Sequence, residues 1–199
     1  MNESAPHVIG LILAAGRSRR FADDKRRALL PDGRTMLQAS IDTARQSFNE
    51  VWVVLRSDDD AQALGIVPDV GIVRSEQADQ GMGHSLASGI EALMPSPAIA
   101  VAILLADMPW LQTATLRSLV QLADPQRIAQ PVYAGQRGHP VIIGRQFWPE
   151  LLLLEGDQGA RTLLTANASV CDLMATDDPG TVRDVDTPEQ ILQDLPNAR

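Results

Sequence analysis

A chain of 199 residues with 45% hydrophobic residues is long enough to bury one sizeable core, and no shift in composition divides it into two domains. Its net charge of −8, from 17 basic and 25 acidic residues, argues against a general nucleic-acid binder with a basic surface. The single cysteine, Cys171, excludes an internal disulfide and a thiolate metal cluster, and this usage is typical of a cytoplasmic protein.

The first part of the chain alternates apolar runs with helical patterns. The runs at 8–14, 51–55 and 99–106 are apolar on both faces, which is typical of parallel strands covered by helices. Between them, 36–48 and 85–94 place apolar side chains at helical spacing. The alternation predicts a doubly wound α/β sheet with ligands at the carboxyl ends of its strands. The first run is too short to span a membrane, and its polar flank is unlike a secretory signal. We therefore expect neither a membrane-spanning segment nor a secretory signal.

The rest of the chain predicts shorter elements in the same single domain, 1–199. We expect strands at 128–133, 140–143 and 170–174 and helices at 114–123, 147–154, 160–166 and 187–195. Thr113 is the expected N-cap of the first of these helices. The last helix has Thr187 as N-cap, Pro188 in its first turn and Gln190 placed for a capping box.

Positive charge is concentrated behind the first predicted strand. The window 17–34 holds seven basic and three acidic residues, and Lys25 is the only lysine in the chain. The small residues of AAGRS, residues 14–18, let the backbone approach a phosphate chain, whose charge Arg20 and Lys25 can neutralise. No Gly-Lys-Ser/Thr follows at the required spacing, so this is not a Walker A loop. Four other cations of the window are expected at the solvated surface: Arg19, Arg26, Arg27 and Arg34.

Carboxylates follow the run at 99–106 and precede the last helix. Asp107 lies at the edge of the sheet where ligands bind, and one of its oxygens can hold a Mg²⁺ that bridges phosphate oxygens. An ordinary turn aspartate is the alternative. Asp184 and Asp186 alternate along a short extended segment, which predicts that they face opposite ways and that one of them can reach the site of Asp107.

Three polar, glycine-rich turns supply further candidates. QGMGHSL, residues 80–86, has two glycines that allow close contact with a base or sugar, and its Ser85 is either a ligand or an ordinary N-cap. It lacks the third glycine of a dinucleotide-binding motif. The other turns are GHP, residues 138–140, and GDQGAR, residues 156–161. Nothing forms a triad or metal cluster with His139, so an ordinary turn histidine is its alternative.

The order of these motifs resembles one known family. LAAGRSRRF, then Lys25, QGMGHSLASG, LLADMP, RGHPV, GDQGAR and DVDTPE are similar to the molybdenum cofactor nucleotidyltransferases, most closely the molybdopterin cytidylyltransferase branch, over about 8–195. The resemblance implies a Rossmann-like nucleotidyltransferase fold, a mostly parallel sheet with helices on both faces. Residues 8–110 would bind the nucleotide and 111–195 the acceptor. It also implies an enzyme that uses Mg²⁺ and CTP to place CMP on the terminal phosphate of molybdopterin, releasing pyrophosphate.

The resemblance implies a role for each matching residue. The triphosphate would be held by Ala14, Ala15, Gly16, Arg20 and Lys25, with Arg17 and Ser18 in the same nucleotide-binding loop. Gly81, Gly83 and Ser85 would lie around the nucleotide, and Asp107 and Asp186 would hold Mg²⁺. His139, Asp157 and Arg161 would lie toward the pterin. The catalytic candidates are Lys25, Arg20 and Asp107.

Three features depart from the family pattern. Ala22 stands where the family usually has glycine, so the loop must take a conformation that alanine tolerates. Two residues are extra between Lys25 and Leu30, which makes Arg26 or Arg27 an alternative occupant of the lysine's place. Relatives that use GTP tend to have LAGG where this chain has LAAG, so Ala15 favours cytosine.

Two other functions stay open at this point. One is a nucleotidyltransferase with another substrate, either a GTP-dependent molybdopterin guanylyltransferase or an enzyme acting on a sugar or alditol phosphate. The other is a non-enzymatic accessory protein that delivers a cofactor. Family resemblance makes a molybdenum hydroxylase of the xanthine dehydrogenase type the expected recipient, and it leaves nucleic acid and membranes out of the expected partners.

Overall fold

The structure is a computed structural model that describes residues 6–17, 21 and 24–193. Of residues 192 and 193 it describes the backbone alone. Ser18, Arg20 and Ala22 lie outside the described residues. The strands are β1 (Val8–Leu13), β2 (Glu50–Arg56), β3 (Gly71–Ser75), β4 (Ala100–Leu105), β5 (Ile128–Tyr133), β6 (Gln136–Arg137), β7 (Val141–Gly144) and β8 (Cys171–Ala175). The helices are α1 (Met36–Arg45), α2 (Met82–Leu93), α3 (Thr113–Val120), α4 (Trp148–Leu151), α5 (Arg161–Ala166) and α6 (Pro188–Gln193).

The eight strands form one sheet in the order β3-β2-β1-β4-β7-β5-β6, with β8 paired to β5. The neighbours among β3, β2, β1 and β4 are parallel, as are β5 and β8. β7 runs antiparallel to β4 and β5, and β6 runs antiparallel to β5. The predicted Rossmann-like α/β fold is confirmed.

β1 and β4 lie at the centre of the parallel part. All six residues of β1 are buried, because helices cover both faces of the sheet here. Leu13 pairs with Leu105, so the two strands end side by side. The Ala106 amide then donates to the Leu13 carbonyl at 3.2 Å. The loops that leave these two strands therefore open at the same carboxyl edge of the sheet.

Two apolar layers hold the helices against the sheet. On one face Leu37 and Ile41 of α1 pack with Leu116 of α3, and on the other Leu86 and Ile90 of α2 pack with strand residues. α1 begins with a capping box in which Thr35 accepts from the Gln38 amide at 3.2 Å and donates its own amide to the Gln38 side chain at 2.9 Å. This packing on both faces holds the strands, and so fixes the position of their carboxyl ends.

Some element boundaries differ from the sequence prediction. α2 begins at Met82, three residues before the predicted start, because Gly81 is its N-cap. α3 begins at Thr113, so its N-cap is Gln112 and not the predicted Thr113. The buried carboxylate of Asp178 accepts from the Gln112 amide at 2.9 Å, which satisfies that helix end from a distant part of the chain. At α6 the Gln190 side chain accepts from the Thr187 amide at 2.8 Å, as the predicted capping box requires.

β3 and β6 were not predicted. β3 is an edge strand in which only Val73 and Ser75 are buried, and Arg74 interrupts its apolar pattern. β6 has two residues and both are exposed. An edge strand buries too little apolar surface to leave a clear pattern in the sequence.

Among the residues that the structure describes, no helix is both long and apolar enough to span a membrane.

Candidate active site

A cleft of about 530 Å³ opens at the carboxyl ends of β1 and β4. Ten of the sequence candidates line it: Ala14, Ala15, Gly16, Arg17, Lys25, Gly81, Ser85, Asp107, Asp157 and Asp186. Phe21, Met82 and Asp79, which were not candidates, line it as well. Residues from six stretches of the chain thus converge where the fold predicts ligand binding.

The loop after β1 forms the floor of the cleft. The Ala14 amide donates to the Val54 carbonyl at 3.0 Å, so the loop continues the β1–β2 ladder for one residue before it turns away. A Cβ built on Gly16 meets no atom within 4 Å among the described residues. The backbone at Gly16 is therefore open to the cleft, which suits close approach by a phosphate chain. Arg20 and Ser18, predicted in this loop, lie outside the described residues.

Lys25 meets the two predicted metal-binding aspartates across the cleft. Its ammonium donates to Asp107 Oδ2 at 2.7 Å and to the Val185 carbonyl at 3.2 Å, and it lies 3.6 Å from Asp186 Oδ1. The Val185 amide donates to the Asp107 carbonyl at 2.9 Å, which brings the segment before α6 against the end of β4. Lys25, and not Arg26 or Arg27, therefore takes the position opposite Asp107.

The carboxylates beside Lys25 fit a divalent cation. Asp107, Asp184 and Asp186 each offer an oxygen within 4.8 Å of the others. Asp107 Oδ1 is buried and has no hydrogen-bond partner among the described residues, whereas Oδ2 is taken by Lys25. A buried carboxylate oxygen without a partner carries an energetic cost that a bound cation would remove. Three carboxylate oxygens are the ligand type that Mg²⁺ and Mn²⁺ prefer.

The sequence left open which of Asp184 and Asp186 reaches Asp107, and in the structure both do. The prediction that Asp184 and Asp186 face opposite ways was wrong for this cluster, since both reach the side of Asp107. The alternation rule applies to a β-strand, and residues 183–186 are irregular in the structure.

His139 is partly buried near Asp107 and Asp184 and is not among the described residues that line the cleft. Its ring Nδ1 is 3.5 Å from the Ile103 carbonyl, and its amide donates to the Thr181 carbonyl at 2.7 Å. Burial lowers the pKa of the imidazole below its usual value, and this outweighs the opposing effect of the Ile103 carbonyl, Asp107 and Asp184. The ring is therefore neutral at pH 7.

The glycines of the second turn pack against protein. A Cβ on Gly83 would lie 2.7 Å from the Glu155 carbonyl oxygen, and a Cβ on Gly81 would lie 2.3 Å from the carbonyl carbon of Gly156. The start of α2 thus sits directly on the backbone of the turn at 155–157. Gly83 is not among the described residues that line the cleft, and its place around the nucleotide stays a prediction.

Of the three residues predicted toward the pterin, one lines the cleft. Asp157 lines the cleft itself, whereas His139 is partly buried and is not among the described residues that line it. Arg161 is the first residue of α5 and is exposed. GDQGAR therefore contributes to the cleft through its acidic residue, while its backbone supports α2.

An ion pair joins two walls of the cleft at the surface. Arg17 Nη2 donates to Asp79 Oδ2 at 2.7 Å, and the Arg17 Nε donates to Asp79 Oδ1. The hydrogen bond and the charge of Asp79 raise the pKa of Arg17 above its usual value. Asp79 lies in the short 3₁₀ turn before α2, so this pair links that turn to the loop after β1.

Arg26 is buried, which contradicts its predicted place at the solvated surface. Only 4% of its surface is exposed, and its guanidinium lies between the carboxylates of Asp24 and Asp59. The ion pairs compensate for the desolvation that would otherwise keep an arginine at the surface. Arg27 and Arg34 are more exposed, as expected.

Sequence comparisons identify relatives over nearly the whole chain. A family model described as the MobA-like NTP transferase domain matches residues 10–170. The purine catabolism protein PucB of Bacillus subtilis is 32% identical, over 94% of this chain and 95% of PucB. A protein of Paenarthrobacter nicotinovorans named nicotine blue oxidoreductase is also 32% identical, over 94% of this chain and 96% of its own length. A protein of Chloroflexus aggregans named "Probable molybdenum cofactor guanylyltransferase" is 37% identical over 56% of this chain and 51% of its own length.

Solved structures share the fold. The crystal structure of Rv0371c from Mycobacterium tuberculosis superposes with a TM-score of 0.84 at 30% identity, covering 96% of this chain and 99% of Rv0371c. A structure of Rv0371c in complex with manganese superposes with a TM-score of 0.75 at 26% identity, covering 95% of this chain and 100% of that one.

Proposed function

The chain belongs to the MobA-like NTP transferase family, and from this premise we propose that it transfers CMP from CTP to the terminal phosphate of molybdopterin with release of pyrophosphate. Its family makes it a nucleotidyltransferase. The proposal adds the identity of the base, of the acceptor and of the metal. A relative named a molybdenum cofactor guanylyltransferase supports the acceptor, and Ala15 in LAAG supports cytosine over guanine.

One observation carries the proposal. Lys25 and three carboxylates meet at the carboxyl edge of the sheet, beside a loop whose Gly16 is open to the cleft. The charge of the cleft points the same way. Its described lining holds four carboxylates, those of Asp79, Asp107, Asp157 and Asp186, against three cations, Arg17, Lys25 and Arg26. A triphosphate entering an acidic lining needs an added cation.

Asp107, Asp186 and Asp184 would hold that cation, which we propose is Mg²⁺. When bound, Mg²⁺ supplies positive charge to the phosphate oxygens of the nucleotide. Asp107 suits this role because its Oδ1 is unpartnered within the described residues while Lys25 orients the carboxylate through Oδ2. A structural relative named as a manganese complex supports a divalent cation at this fold.

The side chains of the site contribute alignment and charge. An acceptor phosphate oxygen attacks the α-phosphorus in line, the bond to the β-phosphate bridging oxygen breaks, and pyrophosphate leaves with that oxygen. Backbone groups at 14–16 would hold the triphosphate, and Lys25 would turn its ammonium toward the charge that develops on the leaving phosphates. Such a reaction needs orientation and charge neutralisation and requires no protein nucleophile.

The acceptor would approach from the part of the chain at 111–195. His139 is partly buried and the pKa of its imidazole is lowered, so its proposed contribution is to the shape of the site near Asp107 and not to charge. Asp157 already faces the nucleotide cleft, and we propose that it lies between the two substrates. The recipient of the product would be a molybdenum hydroxylase.

Pyrophosphate release tests the proposal directly. The protein is incubated with CTP, GTP, ATP or UTP, each with Mg²⁺ or Mn²⁺, and each with molybdopterin, with a sugar phosphate or with no acceptor. We expect release with CTP and molybdopterin. Release with GTP would make the protein a guanylyltransferase, and release with a sugar phosphate would replace the acceptor. No release with any pair would refute nucleotidyl transfer.

An oxidoreductase is the second candidate because a relative of equal identity carries that name. The matching assay mixes the protein with nicotine blue and a reduced nicotinamide cofactor, and measures oxidation of the cofactor by its loss of absorbance. Turnover in this assay without pyrophosphate release in the other would favour the oxidoreductase.

Two substitutions test the residues. Asp107→Asn and Lys25→Met are expected to lower pyrophosphate release by about 10² to 10³, the usual effect of removing one charge-stabilising group. Asp69→Asn is the matched control, because Asp69 is an exposed aspartate whose described partner is Arg45, away from the cleft. Asp107→Asn should also weaken Mn²⁺ binding measured by electron paramagnetic resonance. A pure carrier protein would keep delivering cofactor to its recipient after this substitution.

A further inference from the structure

Arg26 stands one residue after the proposed catalytic lysine and makes an unusually complete set of contacts. Its Nε donates to Asp24 Oδ1 at 2.8 Å, and its Nη2 donates to Asp24 Oδ2 at 2.6 Å and to Asp59 Oδ1 at 2.7 Å. Its Nη1 donates to Asp59 Oδ2 at 2.6 Å and to the Ala14 carbonyl at 2.8 Å. A guanidinium has five N–H groups, and here all five are used. Arg26 has no donor left for a phosphate.

The contacts of Arg26 join three segments of the chain at one guanidinium. Ala14 is the first residue of the loop after β1, and Asp59 belongs to the loop after β2. Asp24 caps the short 3₁₀ turn Lys25–Arg27, accepting from the Arg26 amide at 3.1 Å. That turn carries Lys25. Arg26 therefore connects the start of the loop after β1, here called the phosphate loop, to the backbone that carries Lys25.

The loop after β2 is itself held firmly, so Arg26 is anchored to a fixed point. Asp59 also accepts from the Arg56 amide at 2.9 Å and from Arg56 Nη2 at 2.8 Å. Arg74 of β3 donates to the carbonyls of Arg56 and Asp59 at 3.1 Å and 2.6 Å. The charges of Arg26 and Arg56 balance those of Asp24 and Asp59, which makes burial of the group tolerable.

We propose that Arg26 is a positioning residue, which sets the distance between the phosphate loop at Ala14 and the ammonium of Lys25 by tying both to the loop after β2. This inference rests on the proposed nucleotidyl transfer for its functional meaning, because Lys25 and the loop are the groups that it aligns. Displacements near 1 Å in such a pair can lower a rate by about 10².

Arg26→Met and Arg26→Lys test the proposal, with Arg27→Met as the matched control. Arg27 is in the same turn and carries the same charge, but it is exposed, and its described hydrogen bond is to the Ala63 carbonyl at 3.0 Å. We expect Arg26→Met to lower kcat/KM about 10²-fold, mainly through kcat. We expect Arg26→Lys to lower it roughly tenfold, since an ammonium cannot bridge two carboxylates and a carbonyl in one plane. Arg27→Met should stay within twofold of the wild type.

A charge-balanced double variant separates positioning from simple charge compensation. Arg26→Met leaves Asp24 and Asp59 facing a single cation, Arg56, and this excess negative charge alone is expected to lower the melting temperature. Arg26→Met combined with Asp24→Asn leaves Asp59 paired with Arg56 and removes the excess charge. We expect the double variant to recover a melting temperature near that of the wild type while kcat/KM stays at least tenfold lower. Recovery of both would overturn the proposal, because Arg26 would then serve only to balance charge. Wild-type activity in Arg26→Lys would overturn it too.

Hydrogen exchange gives a readout that does not depend on turnover. The Ala14 amide donates to the Val54 carbonyl at 3.0 Å. The carbonyl of the same residue, Ala14, accepts from Arg26 Nη1. We expect the Ala14 amide to exchange at least tenfold faster in the double variant Arg26→Met, Asp24→Asn than in Arg27→Met. Equal exchange in both would overturn the positioning role. Faster exchange in a protein whose wild type releases no pyrophosphate would instead refute the proposed function and leave the structural link in place.

Discussion

Replacing Gly83 by alanine would place a methyl group against the backbone of the neighbouring turn. The new Cβ would lie 2.7, 2.8 and 2.9 Å from the O, C and N atoms of Glu155. These are backbone atoms, which cannot rotate away as the end of a side chain can. Overpacking of this kind costs about 1–3 kcal/mol, and the better helix propensity of alanine returns at most ~1 kcal/mol at a first-turn position. We expect the free energy of unfolding to fall by about 1–2 kcal/mol.

Urea and thermal denaturation measure this change. For a chain of this size the loss corresponds to a melting temperature lower by roughly 2–8 °C. Gly16→Ala is the matched control, since a Cβ there meets no described atom within 4 Å and should change stability by less than about 0.5 kcal/mol. The control should instead weaken triphosphate binding, because its methyl group narrows the phosphate loop. A Gly83→Ala protein as stable as the wild type but unable to bind nucleotide would refute the packing explanation.

Three further results are expected. Asp79→Asn should leave the melting temperature unchanged, because the Arg17–Asp79 pair is exposed; a fall of several degrees in a thermal scan would contradict this. Burial raises the pKa of Asp24 and Asp59, but hydrogen bonds from Arg26 and its charge outweigh this and lower both values. These two carboxylates therefore stabilise the folded protein fully above about pH 3.9, and this stabilisation is lost as pH falls through their lowered pKa values. Urea midpoints measured from pH 2 to 6 should show the loss. Thr35→Ala removes half of the capping box of α1 and should cost about 1 kcal/mol in urea denaturation.

Much of the fold could be predicted because its central strands are buried on both faces. β1 and β4 are continuous apolar runs, and the helices between strands show apolar side chains at regular spacing. These patterns are local, so they survive in the sequence. β3 was missed because it is an edge strand, where Arg74 replaces an apolar residue without cost and serves to hold the loop after β2.

The candidate site was only partly predictable. Topology alone indicates that residues following β1 and β4 are ligand-facing, and the structure brings Lys25 and Asp107 together there. The sequence predicted that only one of Asp184 and Asp186 reaches Asp107, because the alternation of a strand was expected in a segment that is irregular in the structure, where both reach it. A glycine in the sequence does not reveal what approaches it, and only the structure shows that the backbone of Glu155 packs against Gly83.

Arg26 shows most clearly where sequence reasoning ends. Composition and spacing determined that this is an α/β protein, that small residues follow its first strand, and that cations cluster behind it, because each of these is a property of neighbouring residues. Only the tertiary structure decided that Arg26 is buried between Asp24 and Asp59 while Lys25 reaches the Val185 carbonyl, 160 positions along the chain. The physical reason is that desolvation and ion pairing depend on which charges the fold brings face to face, and a one-dimensional pattern of charges does not contain those distances.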